Sequence, residues 1–209
     1  MEFENTKLTI STIELLEDLQ LSGTDRGYAL LCVVGHKKGS WLTLNSSPWR
    51  EGDAPKRIPQ IVIDQTTNSL EVLGIKYRLR LRDTDAGPWQ PDDESGCRRR
   101  FNQLCDIFIA DTQDRADELH DAVAVMDHKR IGHALDFPST AVEAFGDSNK
   151  SFLADDAPKG MFSDDVIDSA QFILSKDNYE AELGVVRDWL EILKANSNII
   201  YRELSKRYI

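Results

Sequence analysis

Residues 75–82 read IKYRLRLR and alternate strictly between apolar and cationic side chains. In an extended strand, successive side chains point to opposite faces of the sheet. One face therefore carries Lys76, Arg78, Arg80 and Arg82, and the other carries Ile75, Tyr77, Leu79 and Leu81. The pattern predicts a β-strand with one face turned towards a core and one row of cations turned away from it.

The rest of the first half predicts more strands and one helix. Short apolar or β-branched runs between turn residues are typical of strands; they occur at 27–34, 41–44, 61–63, 70–73 and 106–110. The turn 36–39 predicts a hairpin between the first two runs, and the capping pattern from Ser11 predicts a helix over 12–21. We therefore expect an α+β fold with a mostly antiparallel N-terminal sheet, a flanking helix and a C-terminal helical region.

The second half predicts helices. One begins at Asp111 or Thr112 directly after the last strand, and a bend at Phe137-Pro138 leads into a short helix. Later helices are predicted over 164–175, 179–195 and 198–208. We predict an α+β domain over 1–146, a polar linker over 147–160 and a helical segment over 161–209, which could also pack on the first domain as one unit.

Charge and composition limit the classes of function. The net charge of −11 over 209 residues disfavours nucleic-acid binding unless the basic residues are segregated. No apolar stretch approaches the ~20 residues of a membrane span, and the first residues lack a signal-peptide pattern, so we predict a cytoplasmic protein without membrane contact. The thiols of Cys32, Cys97 and Cys105 fit neither a disulfide framework nor a zinc site.

The cationic row suggests a binding function. Arg98, Arg99 and Arg100 add further cations after the acidic segment 83–96. Guanidinium groups suit bidentate binding of carboxylate or phosphate. One hypothesis is therefore a non-enzymatic binding or regulatory protein whose basic sheet face recognises an anionic ligand or an acidic partner. In the alternative interpretation, the arginines pair with acids on neighbouring strands or in the acidic segment.

A second hypothesis is a hydrolase with a His/Asp site around residues 120–133. The candidate catalytic residues are His128, His133, Asp121 and Asp127. His120, His128 and His133 are spaced by eight and five residues, so they do not share one side of a continuous helix. Whether the protein is an enzyme stays open, and we predict no metal and no cofactor.

A third hypothesis is a structural or assembly subunit that associates through its C-terminal helices. These helices carry Trp189, Ile192, Ile199 and Ile200, which could pack on a second chain or inside their own. The sequence leaves the oligomeric state open.

Residues 131–145, IGHALDFPSTAVEAF, carry one local resemblance. They resemble a motif of uncharacterised archaeal and bacterial proteins in which a glycine and apolar residues precede Gly-Tyr-Pro, a cysteine pair, an acid and a phenylalanine. The matching positions are Gly132, Phe137, Pro138, Val142, Glu143 and Phe145. Thr140 and Ala141 stand where the cysteines would be, and Asp136 replaces a glycine. The resemblance implies a recurrent strand–helix–bend–helix module over 105–145 without a thiol role or an assigned activity.

Overall fold

The fold is α+β, as the sequence predicts. The computed structural model describes residues 8–46, 56–83, 90–91, 98–99, 103–153, 166, 169–170 and 172–205. The strands in this part of the chain are β1 (Gly39–Asn45), β2 (Lys76–Asp83), β3 (Gln90–Pro91), β4 (Arg98–Arg99), β5 (Gln103–Ala110), β6 (Ser151–Phe152) and β7 (Leu174–Ser175). The helices are α1 (Ile10–Glu17), α2 (Gly23–Val33), α3 (Gln60–Val72), α4 (Gln113–Ala124), α5 (His128–Ala134), α6 (Ser139–Ala144), α7 (Tyr179–Asn196) and α8 (Asn198–Ser205).

The central sheet has the strand order β1-β5-β2, and both pairings are antiparallel. Asp106 of β5 lies between Thr43 and Arg80, and Phe108 lies between Trp41 and Arg78. These rows confirm the predicted strand at 75–82 and its alternation. The face that carries Lys76, Arg78, Arg80 and Arg82 is called the cationic face below, and the opposite face is called the core face.

The core face packs against most of the helices. Its β-strand residues belong to one buried cluster with residues of α1, α2, α3, α7 and α8, including Leu16, Leu30, Leu42, Leu70, Ile107, Leu183, Leu190 and Ile200. The C-terminal helices therefore share a hydrophobic core with the N-terminal half. Burial of apolar area of this kind is the main stabilising contribution to a fold.

The cationic face is covered at one end only. Phe108 is completely buried there and packs in a smaller cluster with Leu119 and Val123 of α4 and Ile131 of α5. The described helices leave the other end of this face, around Arg82, exposed. The sheet thus separates a large core from a smaller one, and the smaller core stops short of the end of β2.

The predicted strand 27–34, and with it the predicted hairpin, is wrong because this run belongs to helix α2. Ser22 caps the helix by accepting a hydrogen bond from the backbone N–H of Asp25. Every residue from Gly27 to Cys32 is buried, so this part of the helix lies inside the protein and lacks a polar stripe. A short apolar run cannot be assigned to strand or helix by periodicity when all sides are buried.

The predicted strands 61–63 and 70–73 are also wrong, because both lie in the single helix α3. Its buried stripe consists of Ile63, Thr66, Thr67 and Leu70, which follow the i, i+3, i+4, i+7 spacing of one helix face. The Thr66 hydroxyl donates to the carbonyl of Val62, and that of Thr67 to the carbonyl of Asp64. Because Thr66 and Thr67 are polar, the buried stripe does not read as a continuous apolar face in the sequence, and the helical period was missed.

Strand β5, the start of helix α4 and the bend before α6 confirm the predictions at 106–112 and 137–145. The single helix predicted between them is wrong, because the chain there forms two helices, α4 and α5, that are separated at 125–127, where Met126 has a positive φ of 56°. Thr112 caps α4 by accepting from the N–H of Arg115. Gly132 allows α5 and α6 to approach closely, because a Cβ at this position would lie 2.8 Å from Val142 Cγ2. The residues of the motif resemblance therefore include one with a clear packing role.

The segment after 146 differs in part from its prediction. Ser151 and Phe152, inside the predicted linker, pair with Ser175 and Leu174 as strands β6 and β7. The predicted helix over 164–175 is therefore wrong at its C-terminal end. The helices α7 and α8 confirm the predictions over 179–195 and 198–208, except that residues 206–209 lie outside the described part of the chain.

Candidate site on the cationic face

The centre of the candidate site is Asp106, a completely buried carboxylate in the middle of β5. It lies between apolar neighbours, and its side chain points to the cationic face opposite Arg80. A buried carboxylate has to be paired or hydrogen-bonded, since an isolated buried charge is strongly unfavourable. Asp106 meets this requirement with one neutral and two cationic donors.

Arg80 and Arg82 both donate to this carboxylate. The Nε and Nη2 atoms of Arg80 lie 3.3 and 3.1 Å from Asp106 Oδ2. The Nε of Arg82 lies 2.8 Å from Oδ2, and its Nη2 lies 3.3 Å from Oδ1. The side chains of Arg80 and Arg82 keep 29% and 45% of their area exposed, whereas that of Asp106 has none. Two half-exposed guanidinium groups are thus anchored side by side on one buried anion, which leaves an excess of one positive charge among the described residues of the site.

Two aromatic side chains, Trp41 and Phe108, pack beside these groups. The indole Nε1 of Trp41 donates to Asp106 Oδ1 at 3.1 Å. The Trp41 ring packs on Phe108 with ring centroids 5.6 Å apart, and the Arg80 guanidinium lies 5.6 Å from the Phe108 centroid. A cation over an aromatic ring is stabilised by the electrons of that ring. Trp41 and Phe108 therefore fix the carboxylate and, through it, the direction of both arginines.

Arg78 is paired at the covered end of the cationic face. Its Nε and Nη2 lie 2.5 and 3.1 Å from the two carboxylate oxygens of Asp117 on α4. The hydrogen bond from Arg78 holds the pKa of Asp117 below its usual value, and a hydrogen bond from Gln113 adds to this effect. Arg78 thus differs from Arg80 and Arg82, because it has a carboxylate of its own.

Lys76 lies at the start of β2 and is exposed. It lines a surface cleft of about 430 Å³ together with Tyr77, Arg78 and Gln113. Within the described part of the chain, no carboxylate forms an ion pair with Lys76. Of the four predicted cations in β2, then, three contact carboxylates and one does not.

The other predicted binding residues are described only in part. Arg98 and Arg99 form strand β4, which pairs antiparallel with β3. Arg100 lies outside the described residues, as do 84–89 and 92–97 of the acidic segment. Their predicted role in binding stays a prediction.

The four candidate catalytic residues have four different surroundings. Asp121 lies 3.0 Å from His120, and Asp127 caps α5 by accepting from the N–H of Arg130. The His128 ring packs on Phe145 at 5.1 Å, and His133 Nε2 lies 3.8 Å from a carboxylate oxygen of Glu143. In the part of the chain that the structure describes, no three His, Cys, Asp or Glu side chains are arranged to hold a metal ion.

Lys37 is the most unusual residue that the sequence did not single out. It lies in the turn before β1, yet its side chain is 1% exposed. Its ammonium group donates to the carbonyl of Leu135 and lies 4.8 Å from the ring centroids of Phe137 and Trp189 and 5.4 Å from that of Tyr28. Burial lowers the pKa of Lys37 to about 8. No local pattern identifies it, because its neighbours in sequence have the composition of an exposed turn.

The described cysteines, Cys32 and Cys105, are buried free thiols. Burial raises the pKa of Cys32 to about 12 and that of Cys105 to about 11. Since the thiolate is the reactive form, neither residue fits a nucleophile at neutral pH. Cys97 lies outside the described residues.

Comparisons with protein-family models, curated proteins and solved structures find no match to this chain. None of the described helices combines the length and the apolar character that a membrane span requires.

Proposed function

We propose that this protein is a non-enzymatic binding protein that takes an anionic group of a ligand or partner on Arg80 and Arg82. The observation that carries the proposal is the sharing of one buried carboxylate by two half-exposed arginines. Within the part of the chain that the structure describes, Asp106 is their shared carboxylate, and it balances only one of the two charges. The remaining positive charge lies where solvent, and therefore a ligand, can reach both side chains.

The anchoring of both arginines supports the proposal. A free arginine loses side-chain entropy when it binds a ligand, and this loss weakens binding. Asp106 and Trp41 already hold the two guanidinium groups in fixed directions, so less of that entropy is lost. A guanidinium also presents its donors in a fork that matches a carboxylate or a phosphate.

The negative net charge of the chain directs an anionic ligand to this site rather than to the rest of the surface. A chain with a net charge of −11 repels anions at most of its surface. A local positive region is then the place where an anion approaches, and its binding must weaken as salt is added. The proposal keeps the cytoplasmic location predicted from the sequence.

Binding of fluorescently labelled polyglutamate tests the proposal. Arg80→Gln with Arg82→Gln keeps side-chain amides that can donate to Asp106 but removes both charges. The matched control is Lys129→Gln with Arg187→Gln, which removes two cations whose side chains are 57% and 59% exposed elsewhere on the surface. We expect about tenfold weaker binding for the first variant, because bonds between charged groups contribute more than neutral ones.

The control variant should bind like the wild type at every salt concentration. Equal losses in both double variants would mean that only net charge matters, and equal affinities in all three proteins would exclude Arg80 and Arg82 as the site. A third variant, with serine at Arg98, Arg99 and Arg100, tests the predicted contribution of these residues. Thermal unfolding of each variant checks that the fold is retained.

A further inference from the structure

We infer that the outer edge of β2 binds an extended acidic segment of a partner protein, which adds to the sheet as a further strand. The inference rests on the proposed function and specifies the partner: a segment in which acidic and apolar residues alternate. It combines three observations on β2: its position in the sheet, its exposure and the alternation of its side chains.

The first observation is the position of β2 at an edge of the sheet. Strand β5 pairs with one side of β2, and no backbone among the described residues pairs with the other side. From the side chains that the structure describes, its backbone receives one hydrogen bond, from Gln113 Nε2 to the carbonyl of Tyr77 at 3.4 Å. An edge strand presents a row of N–H and C=O groups on which another extended chain can pair.

The second observation is exposure along the whole strand. No residue from Lys76 to Asp83 is buried, and Leu81 on the core face is 51% exposed. A chain that pairs with this edge would therefore find accessible side chains on both faces. The cleft of about 430 Å³ beside Lys76 and Arg78 extends this surface at the start of the strand.

The third observation is the alternation, which specifies the ligand. Residues of an added strand lie opposite those of β2 and share their faces. Glutamate or aspartate would lie on the cationic face beside Lys76, Arg80 and Arg82. Apolar residues would lie on the other face beside Tyr77, Leu79 and Leu81. Because alternate residues of any strand are about 7 Å apart, the acidic groups match the spacing of the cations over the whole edge.

A peptide fits these features better than a nucleic acid. Single-stranded nucleic acids bind on grooves in which several aromatic rings stack with successive bases. Of the described residues on the cationic face, Trp41 and Phe108 are the aromatic ones, and they are packed on each other, with Phe108 completely buried. The unpaired backbone of an edge strand, in contrast, is complementary to a peptide backbone.

Two labelled octapeptides of the same composition test the inference on the full-length protein. In one peptide Glu and Val alternate, and in the other four Glu precede four Val. Both have the same charge, and the block peptide concentrates it, so a purely electrostatic site does not favour the alternating peptide. We expect the alternating peptide to bind about tenfold more tightly, because only this sequence matches both faces of β2.

Backbone methylation gives a sharper test. In an extended peptide the N–H groups of all Glu residues point to one side and those of all Val residues to the other. One alternating peptide is therefore N-methylated at every Glu and a second at every Val. Strand addition predicts that one of them loses binding and the other keeps it, while a site that contacts side chains only is affected equally by both.

Amide hydrogen exchange completes the experiment. We expect the alternating peptide to protect amides within residues 76–83, and this protection should disappear in the variant with Arg80→Gln and Arg82→Gln. Arginine-dependent binding with equal effects of both methylations and no protection would overturn strand addition and keep the proposed function. Binding that does not depend on the arginines would overturn both. A single-stranded oligonucleotide that binds more tightly than the peptide would overturn the class of partner.

Discussion

Strands β1 and β2 flank the same central strand in the same antiparallel arrangement, yet their surroundings are opposite. Gly39 of β1 and Lys76 of β2 lie in one row, on either side of Ala110. Gly39 is buried, whereas Lys76 is exposed. The sheet therefore has one edge inside the protein and one edge at its surface, although both edges belong to strands of similar length.

The turn before β1 accounts for the covered edge. Lys37 donates to the carbonyl of Leu135, and the backbone N–H of Lys38 donates to Asp136 Oδ2 at 3.2 Å. These contacts hold the end of α5 against the start of β1. The approach is so close that a Cβ on Gly39 would lie 2.4 Å from the carbonyl oxygen of Ala134.

The exposed edge is organised by side chains of its own sheet and of α4. Asp106 and Asp117 anchor the arginines of β2 on the cationic face, and no helix covers the outer end of that face among the described residues. Charged residues on an edge strand also prevent unwanted pairing with other chains. Under the inference of strand addition, the same charges that exclude most strands from β2 select those of complementary charge.

The largest effect is expected from Gly39→Ala. The added Cβ would overlap a backbone carbonyl, which cannot turn away as a side chain can. We expect the free energy of unfolding to fall by about 1–3 kcal/mol, as for other overpacked buried positions. Urea denaturation measures this change.

Lys76→Ala is the matched control, because Lys76 occupies the same row at the other edge. The change should stay within about 0.5 kcal/mol, as is usual for an exposed position. Equal stability of Gly39→Ala and the wild type would mean that α5 can move away from β1. The two edges would then differ less than their burial indicates.

Lys37→Met should change how stability depends on pH. Burial lowers the pKa of Lys37 from 10.5 to about 8, against opposing effects of Cys32 and Asp136. Between these values the unfolded chain binds a proton that the folded protein lacks. This group therefore makes the wild type more stable as pH rises through the window, by up to about 1.4 kcal/mol per pH unit, and the gain is lost as pH falls through 8.

Methionine carries no proton, so the stability difference between the wild type and Lys37→Met should grow in favour of the wild type as pH rises. Chemical denaturation of both proteins across this window measures the difference. Lys38→Met is the control, because the neighbouring side chain is 60% exposed. A constant difference would show that the aromatic rings around Lys37 keep it charged in the folded protein.

The parts of the fold that sequence predicted have local patterns. The alternation in β2, the transition from β5 to α4 and the periodicity of α7 each depend on neighbours a few residues apart. The sequence patterns of α2 and α3 were both wrongly assigned to strands, for opposite reasons. The run 27–32 of α2 is buried on all sides and has no polar stripe, whereas α3 places Thr66 and Thr67 on its buried stripe.

The sequence predicted the arginines of the candidate site but not the carboxylate that they share. The alternation in β2 identifies Arg80 and Arg82. Their partner Asp106 is 26 and 24 residues away in sequence, so it can be identified only from the register between β2 and β5. A single acid inside the apolar run LCDIFIA was the available signal, since a buried acid needs a cationic or hydrogen-bonding partner. Lys37 had no such signal, because the aromatic rings around it come from three distant parts of the chain. Tyr28 belongs to α2, Phe137 to the bend that follows α5, and Trp189 to α7.

The smallest expected effect concerns Arg78, which lies between the end of the cationic face that α4 covers and the end that is exposed. Arg78→Gln removes the main cause that lowers the pKa of Asp117, so this pKa should rise towards its usual value while the hydrogen bond from Gln113 keeps part of the shift. An NMR titration of the Asp117 carboxyl measures the change, with Lys76→Gln as the control. An unchanged pKa would mean that Arg78 is not held by Asp117 in solution. Arg78 would then be available to ligands, and the anion site would contain three arginines of β2 instead of two.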